Sequence, residues 1–148
     1  MIPLLPSASR ALIVFCALFF VDRATKISAL FLFSEHPYTV IPGVVKFSLY
    51  FHTKFFSVDP VLLIAIGCVL AGFFFIAALS VLQDRRSSGV FWVALLAAGA
   101  ASNLLDAIRY GSIIDWIEIP HLTFFNLADV FIIGGCAGLL FSLFHKKT

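Results

Sequence analysis

Charged residues are scarce in this sequence. Only 12% of its 148 residues are Asp, Glu, Lys or Arg and 61% are hydrophobic, whereas soluble domains contain about 25% charged residues. Four long apolar runs, at about 11–33, 61–82, 89–109 and 127–144, reach or approach the roughly 20 residues that span the hydrocarbon core of a bilayer. We therefore expect an all-α membrane protein with four transmembrane helices in a single polytopic domain, residues 1–148.

The patterns typical of metal, disulfide and nucleic-acid sites are also missing. Cys16, Cys68 and Cys136 fall inside apolar runs without CxxC spacing, so we interpret them as small buried side chains. The four histidines are scattered without ligand spacing, and no metal site is expected. The net charge of +2, without a basic stripe of interleaved aromatic residues, indicates no nucleic-acid partner.

The basic residues of the short loops predict the orientation in the membrane. With both termini in the cytoplasm, the loops 34–59 and 110–126 lie outside. The inner side then holds five Lys and Arg side chains and the outer side three, namely Arg10, Arg85, Arg86, Lys146 and Lys147 against Lys46, Lys54 and Arg109.

An alternating pattern in the first outer loop predicts β-structure. Apolar residues at 45, 47, 49 and 51 alternate with polar or aromatic ones, which is typical of a half-buried strand. With β-rich flanks at 38–41 and 55–58, the pattern favours a small extracytoplasmic β-sheet between helices 1 and 2. A plain connecting hairpin is the alternative.

Helix 1 carries three charges within the membrane, namely Asp22, Arg23 and Lys26. Each costs about 3 kcal/mol at the centre of a membrane helix, so the three must be paired or face a polar cavity. Asp22 and Lys26 are four residues apart, the spacing of an ion pair on one helix face. The pair either neutralises itself and holds two helices together or orders a functional site.

A second group of polar residues lies between positions 98 and 135. Asp115 is predicted in a short loop, and Asp129 one turn inside helix 4 behind Asn126 as the N-cap. Asn103, Asp106 and Arg109 cluster at the outer end of helix 3, where Asp106 and Arg109 have the spacing to pair. Acids in membrane segments are functional-site hypotheses by default.

Two carboxyl groups that meet in a low dielectric would share one proton. Such a dyad suits peptide hydrolysis, because one carboxylate accepts a proton from water while the other protonates the carbonyl oxygen and then the leaving amine. From the residues alone, a proton relay, a cation-binding site and structural pairing stay open as alternatives.

Three blocks of the sequence resemble the lipoprotein signal peptidase (signal peptidase II) family. They are Asp22-Arg-Ala-Thr-Lys26, Gly99-Ala-Ala-Ser-Asn103-Leu-Leu-Asp106 running on to Gly111-Ser-Ile-Ile-Asp115-Trp-Ile, and Phe125-Asn126-Leu-Ala-Asp129. The resemblance implies that Asp115 and Asp129 are the catalytic dyad, and that Asp22, Lys26, Asn103 and Asn126 order the site or hold substrate. We add Asp106 and Arg109 to this second group because they cluster with Asn103.

The resemblance also implies an activity and a place in the cell. Members of this family cleave the signal peptide of a prolipoprotein before a diacylglyceryl-modified cysteine, at the outer face of the bacterial cytoplasmic (inner) membrane, without metal or cofactor. The partners expected are therefore this prolipoprotein and membrane lipid, and a monomer is favoured.

The sequence departs from the family pattern at three places. The residues at 51–57 lack the family's Asn-x-Gly-Ala-Ala-Phe, Ser102 replaces the usual glycine, and Ala107 replaces an arginine. Arg109 does not substitute for that arginine, because two positions along a helix turn through about 200°. We expect a divergent, active peptidase. The alternative is a non-catalytic membrane protein of the same scaffold that binds lipidated segments or relays protons.

Overall fold

The computed structural model describes residues 7–52 and 87–144. The predicted second helix, 61–82, and the predicted strand at 55–58 lie outside the described residues. In chain order, the described elements are α1 (Ser7–Leu32), β1 (Tyr38–Ile41), β2 (Val45–His52), α2 (Ser87–Tyr110), β3 (Ile113–Ile119), β4 (Thr123–Phe125) and α3 (Leu127–Phe144). Helices α2 and α3 correspond to the third and fourth predicted helices.

The helices differ in how well they suit a membrane. Among the described residues, one helical stretch, Gly89–Tyr110 of α2, is long and apolar enough to cross a bilayer by length and composition, with a mean hydropathy of 1.6. The apolar stretch of α3, Leu127–Ser142, is shorter. Helix α1 is long enough but interrupts its apolar run with buried charges, which are paired as described below.

Helices α2 and α3 pack closely because small residues line their interface. Leu96 and Leu139 are buried between them, and the ring of Trp92 packs against Gly138. The closest contact of a described glycine with the backbone of the facing helix is at Gly99, where a Cβ atom would lie only 2.4 Å from the carbonyl oxygen of Ala128. Helix α1 packs chiefly against α2, so α2 is the central helix of the three.

The strands form one antiparallel sheet in the order β1-β2-β3-β4. The hairpin of β1 and β2 and the hairpin of β3 and β4 have the same kind of turn, in which a proline is followed by a residue with positive φ. In the first, Gly43 has a φ of 75°, and in the second, His121 has a φ of 65°. Hydrogen bonds across each turn, from Val44 N to Ile41 O and from Leu122 N to Ile119 O, both at 3.0 Å, complete type II turns.

The predicted small sheet is confirmed, but two of its four strands come from a second segment of the chain. β1 and β2 come from the loop after α1, whereas β3 and β4 come from the connection between α2 and α3. The prediction that 110–126 is a short loop is therefore wrong, and Asp115 lies within strand β3. The reason is that 113–119 is mainly β-branched and aromatic, and its pairing partners in β2 lie 61 to 72 residues earlier in the chain.

Candidate active site

The first turn of helix α3 is capped by Asn126. Its Oδ1 accepts a hydrogen bond from the backbone N–H of Asp129 at 3.1 Å, and its own backbone N–H donates to Asp129 Oδ2, also at 3.1 Å. This reciprocal arrangement is a capping box in which an aspartate takes the place of the usual Glu or Gln. The predicted N-cap is confirmed, and it holds the Asp129 carboxyl group at the start of the helix.

The same residue also contacts Asp115. Asn126 Nδ2 donates to Asp115 Oδ1 at 2.6 Å and lies 3.3 Å from the carbonyl oxygen of Ile114. The Asp115 side chain comes from strand β3 and is almost fully buried. Asn126 thereby links two carboxyl groups, one from the sheet and one from a helix.

Asn103, on helix α2, connects this pair to the helices. Its Nδ2 donates to Asp129 Oδ1 at 2.8 Å. Its Oδ1 accepts from Lys26 Nζ at 2.7 Å and from Asn126 Nδ2 at 3.2 Å. Since both partners of Oδ1 are donors, they fix the orientation of the amide, and its NH₂ group faces Asp129.

Four charged side chains, Asp22, Arg23, Lys26 and Asp106, form a buried charge cluster between α1 and α2. Lys26 Nζ lies 3.1 Å from Asp22 Oδ2 and 2.7 Å from Asp106 Oδ2, and these three side chains are 0% exposed. The predicted ion pair of Asp22 and Lys26 is confirmed. Arg23 Nη1 pairs with Asp106 Oδ1, which brings the cluster to two positive and two negative charges.

The buried charge cluster also contacts the backbone next to both aspartates. Asp22 Oδ1 accepts from the N–H of Ala128 at 2.9 Å, and Asp106 Oδ2 lies 3.5 Å from the N–H of Ile114. These are the residues immediately before Asp129 and Asp115. The Asp22 carboxylate thus binds at the N-terminus of helix α3, where the helix dipole favours a negative charge.

Comparison with known proteins identifies the family. The family model described as signal peptidase (SPase) II matches residues 14–145. The chain belongs to the signal peptidase II family. It is therefore an aspartic peptidase and a bacterial membrane enzyme with apolar helices.

Curated relatives and solved structures agree with this membership. The chain is 30% identical to a lipoprotein signal peptidase of Pelotomaculum thermopropionicum, over 91% of both chains. It is 27% identical to one of Caldicellulosiruptor bescii, over 90% of both. Its fold is similar to that of a bacterial membrane enzyme solved by the in meso method at 1.9 Å resolution, with a TM-score of 0.75 over 95% of each chain at 18% identity.

One predicted contact of this signal peptidase II family member is wrong. Asp106 does not pair with Arg109; its partners in the described part of the chain are Arg23 and Lys26. Arg109 is exposed, and its guanidinium carbon lies 5.4 Å from the centre of the Tyr110 ring. The physical reason is that Asp106 is fully buried against α1, where two buried cations need a counter-ion, whereas the exposed Arg109 does not need one.

Sequence reasoning left Arg23 and Ser102 out of the site. Ser102 Oγ donates to Asp22 Oδ2 at 2.5 Å and accepts from Arg23 Nη1 at 3.3 Å, and its side chain is fully buried. A signal for Arg23 was present, because a charge within a membrane helix requires a partner. Nothing in the sequence indicated that this partner would be Asp106.

A separate polar contact lies on the sheet, away from the two aspartates. Ser48 Oγ donates to Glu118 Oε2 at 2.5 Å, and Lys46 Nζ lies 3.1 Å from the same oxygen. The hydrogen bond from Ser48 lowers the pKa of the Glu118 carboxyl group below its usual value, with a further contribution from Lys46. Within residues 7–52 and 87–144, no three His, Cys, Asp or Glu side chains are arranged to hold a metal ion.

Proposed function

We propose that Asp115 and Asp129 form the catalytic dyad of this aspartic peptidase. The observation that carries the proposal is that Asn126 donates a hydrogen bond to each carboxyl group, through Nδ2 to Asp115 and through its backbone N–H to Asp129. One residue reaches two carboxyl groups only if they are neighbours. Acid–base hydrolysis requires one protonated and one ionised carboxyl group, and two neighbouring carboxyl groups are able to provide both.

The reaction follows from one protonated and one ionised carboxyl group. The ionised group accepts a proton from a water molecule as the water oxygen attacks the carbonyl carbon of the scissile peptide bond. The protonated group donates its proton to the carbonyl oxygen, which gives a tetrahedral intermediate. In the collapse of this intermediate, a hydroxyl group returns its proton to the carboxylate that is now ionised, the C–N bond breaks, and the other carboxyl group donates its proton to the departing nitrogen.

The neighbouring polar residues have ordering roles in this proposal. Asn103 and Asn126 hold the carboxyl groups in place by direct hydrogen bonds. Asp22, Lys26 and Asp106 act one step further out, through Asn103 and through the backbone before each aspartate. Such preorganisation matters because a group displaced by about 1 Å can lose a hundredfold in rate.

We further propose that residues 1–148 form one polytopic membrane domain of four helices. Both termini would lie in the cytoplasm, with the sheet and the dyad at the outer face of the bacterial inner membrane. The bias of Lys and Arg between the loops and the apolar character of α2 support this orientation. The working form is a monomer.

The proposed substrate is a prolipoprotein with a diacylglyceryl-modified cysteine, cleaved just before that cysteine. The support comes from the curated relatives named lipoprotein signal peptidase and from the surroundings of the site. Exposed apolar side chains of the helices beside it, Leu104 and Ile108 of α2 and Val130 of α3, suit contact with acyl chains of a lipid-anchored substrate and of the membrane.

Cleavage of a diacylglyceryl-modified prolipoprotein by the purified chain in detergent tests this function. We expect kcat to fall by about 100- to 10,000-fold in Asp115→Asn and in Asp129→Asn, because each variant removes one partner of the proton transfers. Glu118→Gln is the matched control, since it changes a carboxyl group to an amide on the same strand as Asp115. It should keep wild-type kcat.

Two results would contradict parts of the proposal. Robust turnover by a folded Asp115→Asn or Asp129→Asn variant would exclude the dyad. Equal kcat/KM for the same precursor with an unmodified cysteine would exclude recognition of the lipid while leaving the dyad intact. Thermal unfolding of each variant in the same detergent separates lost chemistry from lost folding.

A further inference from the structure

Arg23 is a buried cation that the proposed site does not yet include. It follows Asp22 on helix α1, yet all its described polar contacts are on helix α2, and they run through one nitrogen atom. Arg23 Nη1 pairs with Asp106 Oδ1 and lies 3.3 Å from Ser102 Oγ and 3.4 Å from the Ser102 carbonyl oxygen. Only 8% of the residue is exposed.

The charge balance of the buried cluster depends on this residue. Arg23 and Lys26 are matched by Asp22 and Asp106, and all four residues are buried. Removal of Arg23 leaves two buried carboxylates with one ammonium group, and an unpaired buried charge is strongly unfavourable. Lys26 alone would then have to serve both carboxylates.

Lys26 also has a second contact that this change would weaken. Its ammonium group donates to Asn103 Oδ1 at 2.7 Å, and Asn103 donates through Nδ2 to Asp129. The two oxygens of Asp106 have different partners. Oδ1 pairs with Arg23, whereas Oδ2 contacts Lys26 and the N–H of Ile114. Arg23 is therefore connected to both aspartates, to Asp129 through Lys26 and to Asp115 through Asp106.

We propose that Arg23, held by the Ser102 hydroxyl group, is a positioning residue for the two aspartates and acts through Asp106 and Lys26. The inference rests on the proposed dyad. Ser102 joins the two halves of the cluster, because its hydroxyl group accepts from Arg23 and donates to Asp22. Neither residue touches the reacting atoms, so their loss changes the rate of the chemical step and leaves substrate binding intact.

Kinetics of Arg23→Met and Arg23→Lys test this role. Met keeps an unbranched side chain without the charge, and we expect a kcat about 10- to 100-fold below wild type with KM nearly unchanged. Lys restores the charge and, because the contacts use a single nitrogen, should recover most of kcat. Ser102→Ala, which keeps every charge, should lower kcat by only a few-fold.

A double variant covers the case in which Arg23→Met does not fold. Arg23→Met/Asp106→Asn removes one charge of each sign, so the cluster is neutral again, and we expect it to fold and to exceed Arg23→Met in kcat. Wild-type kcat in Arg23→Met, an equal loss in Arg23→Lys, or a double variant no better than Arg23→Met would overturn the inference.

Asp115→Asn, measured alongside, separates this inference from the proposed function. Full activity of Asp115→Asn overturns the dyad whatever Arg23 does. Loss of activity in Asp115→Asn together with wild-type kcat in Arg23→Met overturns the role of Arg23 alone.

Discussion

The contact between Gly99 and Ala128 gives a sharp test of how the helices position the site. An added Cβ at Gly99 would lie 2.4 Å from the Ala128 carbonyl oxygen, where ordinary contact begins at 3.4 Å. Since the obstacle is backbone, Gly99→Ala should push α2 and α3 apart by about 1 Å. The 2.8 Å hydrogen bond from Asn103 to Asp129 would then lengthen to roughly 3.8 Å, beyond the range of a hydrogen bond.

We expect this displacement to lower kcat by about 100-fold, because Asp129 follows directly after Ala128. The overpacking should also reduce the free energy of unfolding by about 1–3 kcal/mol. The assay is cleavage of the lipid-modified precursor in detergent, with thermal unfolding of the same samples. Gly134→Ala is the matched control, because its added methyl group would lie 3.3 Å from the flexible Leu95 side chain only.

The control should keep kcat and thermal stability close to wild type. A Gly99→Ala variant that is folded and retains wild-type kcat would refute the reasoning, since it would mean that the spacing of α2 and α3 does not determine the position of Asp129. Equal losses in Gly99→Ala and Gly134→Ala would point instead to general sensitivity of the helix interface.

Three further predictions concern the cap, the sheet and its turns. Asn126→Ser keeps an N-cap side chain but loses the amide that contacts Asp115, so kcat should fall strongly; equal kcat would contradict the contact. Because its pKa is lowered on folding, Glu118 stabilises the fold above the usual value of 4.5, and this contribution is lost as the pH falls through the lowered value. The melting-temperature difference between wild type and Glu118→Gln should therefore be largest near pH 7 and decrease below pH 4.5. A difference that does not change with pH would contradict the pKa shift. Gly43 and His121 both have positive φ, which favours glycine. Gly43→Ala should therefore lower the free energy of unfolding by about 1 kcal/mol, whereas His121→Gly should not lower it, and chemical denaturation measures both changes.

Contacts within one helix turn were predictable from the sequence. The pairing of Asp22 with Lys26 and the capping of Asp129 by Asn126 depend on spacings of four and three residues, which the periodicity of the helix determines. Both contacts are present as predicted. The same rule failed for Asp106 and Arg109, because spacing permits a pair without deciding between competing partners.

Contacts between distant segments were not predictable in this way. Arg23 is 83 residues from Asp106, and only the packing of α1 on α2 brings them together. Strand β3 likewise depends on β2, from which it is separated by helix α2. Ser102 replaces the usual glycine of the family, and the sequence alone does not indicate that its hydroxyl group donates a buried hydrogen bond to Asp22.

The convergence on Asn126 has a consequence for biosynthesis. The groups that hold the proposed dyad come from α1, α2, β3 and α3, so they span the chain from Asp22 to Asp129. A nascent polypeptide whose final helix has not yet entered the membrane has neither the amide nor the second acid in position. If Asp115 and Asp129 form the dyad, we therefore expect the chain to gain peptidase activity only once helix α3 has packed against α1, α2 and the sheet.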